Sequence, residues 1–172
     1  MKKVILLIAV IVFSLGCQPK KQTLLDEIKK NEQALQAKYR QGIVDTLIIQ
    51  KLLAHYKKFT ENYPEDTLCP RIYYNMARLY VQVKKPQEAE FILTQFEKKY
   101  PDHSLLPEVL FFRGFIEENE LKDLTSAQNT YTRFLTKFPT HPYADQVRAS
   151  IQYLGYEPDK ILELTQKESK AQ

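Results

Sequence analysis

Ala89-Glu90-Phe91-Ile92-Leu93-Thr94-Gln95-Phe96-Glu97-Lys98-Lys99-Tyr100-Pro101 carries a pattern that recurs on either side of it. Counting back from Pro101, apolar or aromatic residues stand at Tyr100, Phe96, Leu93 and Ala89. The same offsets from Pro64 fall on Tyr63, Phe59, Tyr56 and Leu52, and from Pro139 on Phe138, Phe134, Tyr131 and Ala127. The three prolines lie 37 and 38 residues apart. On a helix of about 3.6 residues per turn these offsets form one apolar stripe, while Lys57, Lys58, Glu97, Lys98, Lys99 and Lys137 fall off it. Each segment is therefore expected to be an amphipathic helix that ends at its proline, which lacks an N–H and disfavours the α conformation in the residue before it.

A second helix is expected ahead of two of these, from Pro70 to about Lys84 and from Pro107 to about Asn119. Proline is tolerated in a first helical turn because the missing N–H has no intrahelical partner there. Ala77 and Gly114 each lie 13 residues after a repeat proline, and Ala89 and Ala127 follow them by 12 and 13. A small residue on each member of a pair lets the two axes approach, which predicts antiparallel hairpins. Roughly Thr23 to Arg40, with Leu24, Leu25, Ile28, Ala34 and Leu35, reads as the first helix of the first hairpin. About Pro142 to Leu154 turns Ala144, Val147, Ile151 and Leu154 to one side and reads as a cap. A single hairpin cannot bury its apolar face, whereas about three stacked ones share a core. The expected fold is all-α: an α-solenoid of about three helical hairpins plus a C-terminal capping helix over residues 23–155, with the repeat signature in 43–155.

A small residue, a spacing of 12 or 13, Ala, an aromatic or Leu at +4, an apolar residue at +7 and Pro at +12 resembles the tetratricopeptide repeat (TPR). The Phe five residues before each proline, the Tyr or Phe directly before it, and Phe-Pro-Thr-His-Pro-Tyr-Ala at 138–144 are similar to the repeats of BamD-type outer-membrane assembly lipoproteins and Tol–Pal-associated envelope proteins. The resemblance implies a protein-binding scaffold. The BamD family usually has about five repeats; this chain has room for three hairpins.

The N-terminus carries an address. Met1-Lys2-Lys3, the apolar run Val4 to Phe13 and Ser14-Leu15-Gly16-Cys17 read as a basic, then apolar, then small-residue signal segment over 1–16. The apolar run is too short for a hydrocarbon core that takes roughly 20 helical residues to cross. Ser-Leu-Gly-Cys resembles a bacterial lipobox, although Ser14 stands where that motif usually has Leu, and it implies cleavage before Cys17 and lipidation of Cys17. Residues 17–22 would be a lipidated tether and 156–172 a polar tail. Gln18 is not the Asp that tends to retain lipoproteins at the inner membrane, so the resemblance implies an outer-membrane anchor facing the periplasm.

Among its 172 residues, 44% are hydrophobic and 27% charged, with 4 Gly and no Trp, which is the composition of one soluble globular domain and excludes collagen-like, low-complexity and polytopic membrane chains. The formal net charge of +4 loses Lys2 and Lys3 with the signal segment, and a residual +2 gives no reason to expect nucleic acid. With Cys17 acylated, Cys69 has no disulfide partner and reads as a small buried filler. The glycines form no phosphate-cradling cluster. His103 and His141, each two residues after a repeat proline, read as turn residues, and His55 stands apart from both. Glu117-Glu118 reads as a solvated face, and no serine stands in a nucleophile-elbow sequence. No enzyme activity, metal or cofactor is expected.

Repeat arrays bind through the surface lined by their first helices. Aligning Ala77 with Gly114 puts Arg71, Tyr74 and Arg78 on that surface in one unit, and Glu108, Phe111, Phe115 and Glu118 in the next. Arg71, Tyr74, Arg78, Glu108, Phe111 and Phe115 are the candidate partner-binding residues, for a peptide, a helix or a subunit of an envelope machine. Phe111, Phe112, Phe115 and Ile116 are more apolar than one buried stripe requires; packing on the cap helix is the competing role. Asn75 alone does not make the carboxylate clamp of chaperone-binding repeats. The expected function is an outer-membrane-anchored interaction scaffold in outer-membrane protein assembly or envelope maintenance. A pilotin-like carrier of a pilus or secretion subunit is the alternative. A glycan-binding wall protein is disfavoured by the lack of Trp.

Overall fold

The computed structural model describes residues 2–157 and 159–163, with side chains from Lys20 onward. The Cys17 side chain, and with it the lipidation expectation, lies outside the described residues, as does the tail at 158 and 164–172. Every regular element among the described residues is helical: α1 Lys2–Tyr39, α2 Thr46–Asn62, α3 Cys69–Gln82, α4 Pro86–Lys99, α5 Leu106–Phe115, a π-helical turn Ile116–Glu120, α6 Leu124–Lys137 and α7 Ala144–Gln152. None of them is long and apolar enough to cross a membrane among the described residues. The protein is thus an all-α helical-repeat fold. It divides into two compact units, Met1–Ile72 and Tyr73–Gln172.

The proline-bounded helices end as their sequences dictate. Tyr63, Tyr100 and Phe138 cap α2, α4 and α6 with φ of −134°, −132° and −134°, and each cap N–H donates to the carbonyl of the stripe phenylalanine, Phe59, Phe96 or Phe134. The next turn also recurs. Asp66 Oδ1, His103 Nδ1 and His141 Nδ1 accept from the N–H of Leu68, Leu105 and Tyr143 at 2.9, 3.0 and 3.2 Å. The two histidines stand edge-on to Phe96 and Phe134, with ring centroids 5.8 and 5.7 Å apart. They are the turn residues their spacing predicts. Phe59, Phe96, Phe134 and the stripe residues at the two earlier offsets are all buried, so the stripe is the core.

In the first unit α1 and α2 form an antiparallel hairpin: Lys21 pairs with Asp66, just beyond the end of α2, whereas Asn31 and Glu32, further along α1, meet His55 and the Tyr56 hydroxyl at the middle of α2. Leu24, Ile28 and Leu35 of α1 are buried, whereas Ala34 faces solvent. The helix runs without a break through residues 17–22. Asp45 caps α2 by accepting from the Ile48 N–H at 3.1 Å. Cys69 is buried and its thiol donates to the Tyr63 carbonyl at 3.1 Å, in keeping with a packing role. Asp66 is held below its ordinary carboxylate pKa: burial pulls upward, and hydrogen bonds from Lys21 and the Leu68 N–H outweigh it.

In the second unit α5 packs between α4 and α6, and α6 packs on α7, where Ala144 and Val147 are buried. Ile151 and Leu154 of the cap stay half-buried. Gly114 of α5 lies directly against α6. A Cβ built there would stand 2.3 Å from Cε1 and 2.6 Å from Cδ1 of the buried Tyr131 ring, whose hydroxyl is tied to Glu118. Gly114→Ala is expected to destabilise the unit by about 1–3 kcal/mol despite alanine's higher helix propensity, as read by urea unfolding of the circular-dichroism signal.

Candidate functional site

The unequal repeat spacing has a physical location. Ala77 and Gly114 occupy the same place after their prolines, and Lys84 and Lys122 close the following hairpin turns with φ of 58° and 57°. Lys84 lies 7 residues beyond Ala77, but Lys122 lies 8 beyond Gly114. The additional residue of the 38-residue repeat therefore sits between Gly114 and Lys122, where the backbone widens into the π-helical turn. Such single-turn bulges re-aim side chains and are frequent at functional sites.

Glu117, in this turn, is buried to 1% exposure, between α4, α5 and α6. Arg113 bridges Glu90, Glu97 and Glu117 at 2.9, 2.8 and 2.8 Å, and Arg133 also reaches Glu97. The contact with Glu117 is a close charge pair without hydrogen-bond alignment. The Thr130 hydroxyl faces the same carboxylate. Burial raises the pKa of Glu117 above the ordinary value, opposed by Thr130 and Arg113, while Arg113 is raised by its carboxylates in spite of burial. Glu118, one residue on, accepts from the Tyr131 hydroxyl at 2.9 Å. Burial and that hydrogen bond push the Tyr131 hydroxyl well above its ordinary value. The expectation of a solvated Glu117-Glu118 face is thus corrected: Glu117 lies in the core, in line with Leu110 and Gly114, and Glu118 is tied to a buried tyrosine.

Beside the bulge a groove of about 370 Å³ opens between α5 and α7, lined by Phe111, Phe115, Glu118, Asn119, Tyr131 and Tyr153 among others. Phe115 is 41% exposed and stacks on Phe112 at 6.4 Å. Phe111 is half-buried against Tyr143, just before the cap helix, at 5.1 Å. It thus packs just before the cap helix and also lines the groove. Residues 159–163, expected to belong to a polar tail, form a helical turn whose Ile161 also borders the groove.

Tyr74, Arg78 and Glu108 form a second neighbourhood in the same unit. The Tyr74 ring meets Phe112 edge-on at 5.9 Å, and burial raises its hydroxyl pKa, with Arg78 opposing and Glu108 and Tyr143 adding to the rise. Glu108 Oε2 is buried without a hydrogen-bond partner among the described residues. Arg71 is exposed on α3 and lies in the first unit. Sequence reasoning missed the Arg113 cluster and an exposed apolar tip at the α1–α2 turn, where Ile43, Val44 and Leu47 face solvent. Among the described residues no group of His, Cys, Asp and Glu could hold a metal ion. The groove is suited to seating an apolar side chain, with amide and hydroxyl groups of Asn119, Gln146 and Ser150 at its edges.

Residues 72–103, from α3 through α4 to the turn beyond it, match the family model described as tetratricopeptide repeat. No curated protein matches the chain. The matched segment holds the stripe Ala89, Leu93, Phe96 and Tyr100, and hairpins of that type are protein-interaction elements.

Proposed function

We propose that this protein is a lipid-anchored TPR scaffold of the bacterial outer membrane, facing the periplasm, which holds a protein partner during outer-membrane protein assembly or envelope maintenance. The observation that carries the binding role is the aromatic groove between α5 and α7, with Phe115 presented at its mouth and the π-helical turn as its wall. Partner hot spots concentrate on such aromatic anchors in otherwise polar surroundings. The lipobox-like Ser14-Leu15-Gly16-Cys17 supports the anchor. If the chain begins at Cys17, Pro19 falls in the first turn of α1, where proline is tolerated.

Two experiments separate the parts of this reading. Cys17→Ala is expected to move the protein out of the membrane fraction and to abolish labelling by a radioactive fatty acid; unchanged fractionation would remove the anchor. Phe115→Glu is expected to lose at least about 90% of partner crosslinking in cells, a change of more than 1 kcal/mol in binding, while thermal unfolding stays unchanged. Wild-type crosslinking by that variant would show that the groove is not the binding surface. Recovery of barrel-assembly proteins by mass spectrometry supports the assembly role, and a pilus or secretin subunit replaces it.

A further inference from the structure

We infer that the turn joining α1 and α2 is a membrane contact in its own right, whose aliphatic tip enters the interface of a bilayer carrying anionic phospholipid. Ile43, Val44 and Leu47 are 44%, 53% and 59% exposed, and Tyr39 at the end of α1 is exposed as well. Apolar residues scattered singly on a surface need no explanation, whereas four within nine residues of one turn make a patch.

The patch rests on a closed turn. The Ile43 N–H donates to the Lys38 carbonyl at 3.0 Å and the Gly42 N–H to the Tyr39 carbonyl at 2.9 Å, with Gly42 at φ 72°, so α1 ends in a Schellman motif. An apolar residue at the place of Ile43 in that motif commonly packs back on the last turn of the helix. Here the position it would cover is Lys38, and Ile43 stays open to solvent. Two residues on, Asp45 uses a carboxylate oxygen to accept from the Ile48 N–H. The backbone and the acidic group of the turn are thus satisfied internally, and what Ile43, Val44 and Leu47 offer outward is hydrocarbon.

The charge around the tip selects the occupant. From residue 33 to residue 60 Asp45 is the sole carboxylate, against Lys38, Arg40, Lys51, Lys57 and Lys58. Lys38, Arg40 and Lys51, the three closest to the turn in sequence, have no ion-pair partner among the described residues. Aliphatic side chains ahead of a cationic collar match acyl chains beneath anionic headgroups, where each Lys or Arg strengthens attachment about fivefold. Tyr39 suits the headgroup level, at which tyrosine is enriched. A second copy fits less well: a twofold tip-to-tip contact would bring the same cations together, and a stable interface buries roughly 800 Å² on each partner, over about 20–30 residues. Tyr39 lies 22 residues beyond Cys17 in unbroken helix, a rise of about 33 Å. With the proposed lipid on Cys17, both contacts reach one bilayer when α1 lies along it; the inference takes from that reading only the nearness of a bilayer.

The chain has no Trp, so Leu47→Trp places a single indole fluorophore at the tip. The test reconstitutes the full chain with that change into vesicles of phosphatidylcholine, alone or mixed with phosphatidylglycerol, with and without brominated acyl chains. In the mixed vesicles the emission is expected to move to shorter wavelength and to be quenched by the brominated chains, and in phosphatidylcholine alone both effects are expected to fall. Adding Lys38→Glu with Arg40→Glu is expected to lower the ratio of inserted to free tip by about tenfold or more. Adding Ile43→Asp with Val44→Asp instead is expected to abolish the quenching. All these residues lie at the surface turn, and an unchanged circular-dichroism melt confirms folding. Emission of a water-exposed indole in both kinds of vesicle, equal quenching in the two, or quenching unaltered by the charge reversals would overturn the proposal. So would a shift in phosphatidylcholine alone that grows with the protein-to-lipid ratio, which would assign the tip to self-association. Fatty-acid labelling at Cys17 tests the anchor separately: its absence leaves a quenched tip standing, and an unquenched tip leaves a labelled Cys17 standing.

Discussion

Replacing Arg113 by methionine is expected to lower the unfolding free energy of the second unit by about 3–5 kcal/mol, because it leaves a buried carboxylate without its cation. Arg113 is the shared partner of Glu90, Glu97 and Glu117, and Glu117 is the one with least access to water. The loss is expected to depend on pH in a definite direction. The pKa of Glu117 is raised in the folded protein, so folding takes up a proton as pH rises past the ordinary glutamate value. Stability from this group is fully present below that value and is lost as pH climbs through the folded one. Removing Arg113 raises the folded value further and steepens the fall. Urea unfolding from pH 4 to 8 checks both points: a flat profile in Arg113→Met would mean that Glu117 is not desolvated. Pairing Arg113→Met with Glu117→Leu is expected to recover most of the loss, since exchanging a buried ion pair for apolar groups is often neutral.

Phe134→Ala is the second change of that size, expected to cost about 3–5 kcal/mol through lost burial and the cavity left behind. The ring is fully buried in α6 and meets Phe138 at 5.8 Å and His141 at 5.7 Å, both edge-on. The carbonyl of Phe134 also receives the cap N–H of Phe138, so stripe and helix end depend on the same residue. Denaturant unfolding should show a lower midpoint with little change in slope. A loss under about 1 kcal/mol would mean that the core relaxes around the missing ring.

The stripe residues were legible in the sequence because a helix period and a helix-terminating proline are both local facts. Phe59, Phe96 and Phe134 could be assigned to the core without knowledge of what they meet. His103 and His141 were legible as turn residues because their place after the proline repeats. Glu117 was not: seven residues after Leu110 and three after Gly114 it falls on the buried stripe of the helix, and only its charge argued for solvent. The 38-residue spacing signalled one additional residue, and only the backbone reveals that a π-helical turn absorbs it. Of the candidate site, Phe111 and Phe115 do share a groove, and Tyr74, Arg78 and Glu108 share a second neighbourhood. The far wall of the groove, from Gln146 to Tyr153, belongs to a helix whose sequence reads simply as a cap.

The bulge also bears on how the array can change by descent. An inserted codon in a helix interior rotates everything beyond it by about 100°. Here the rotation is spent within a single turn, so α6 still begins from a left-handed lysine as α4 does. A lineage can therefore gain or shed that codon without rewriting the next hairpin. The groove wall formed by the turn would come and go with it, making a length change, rather than a substitution, the natural step by which copies of this repeat diverge.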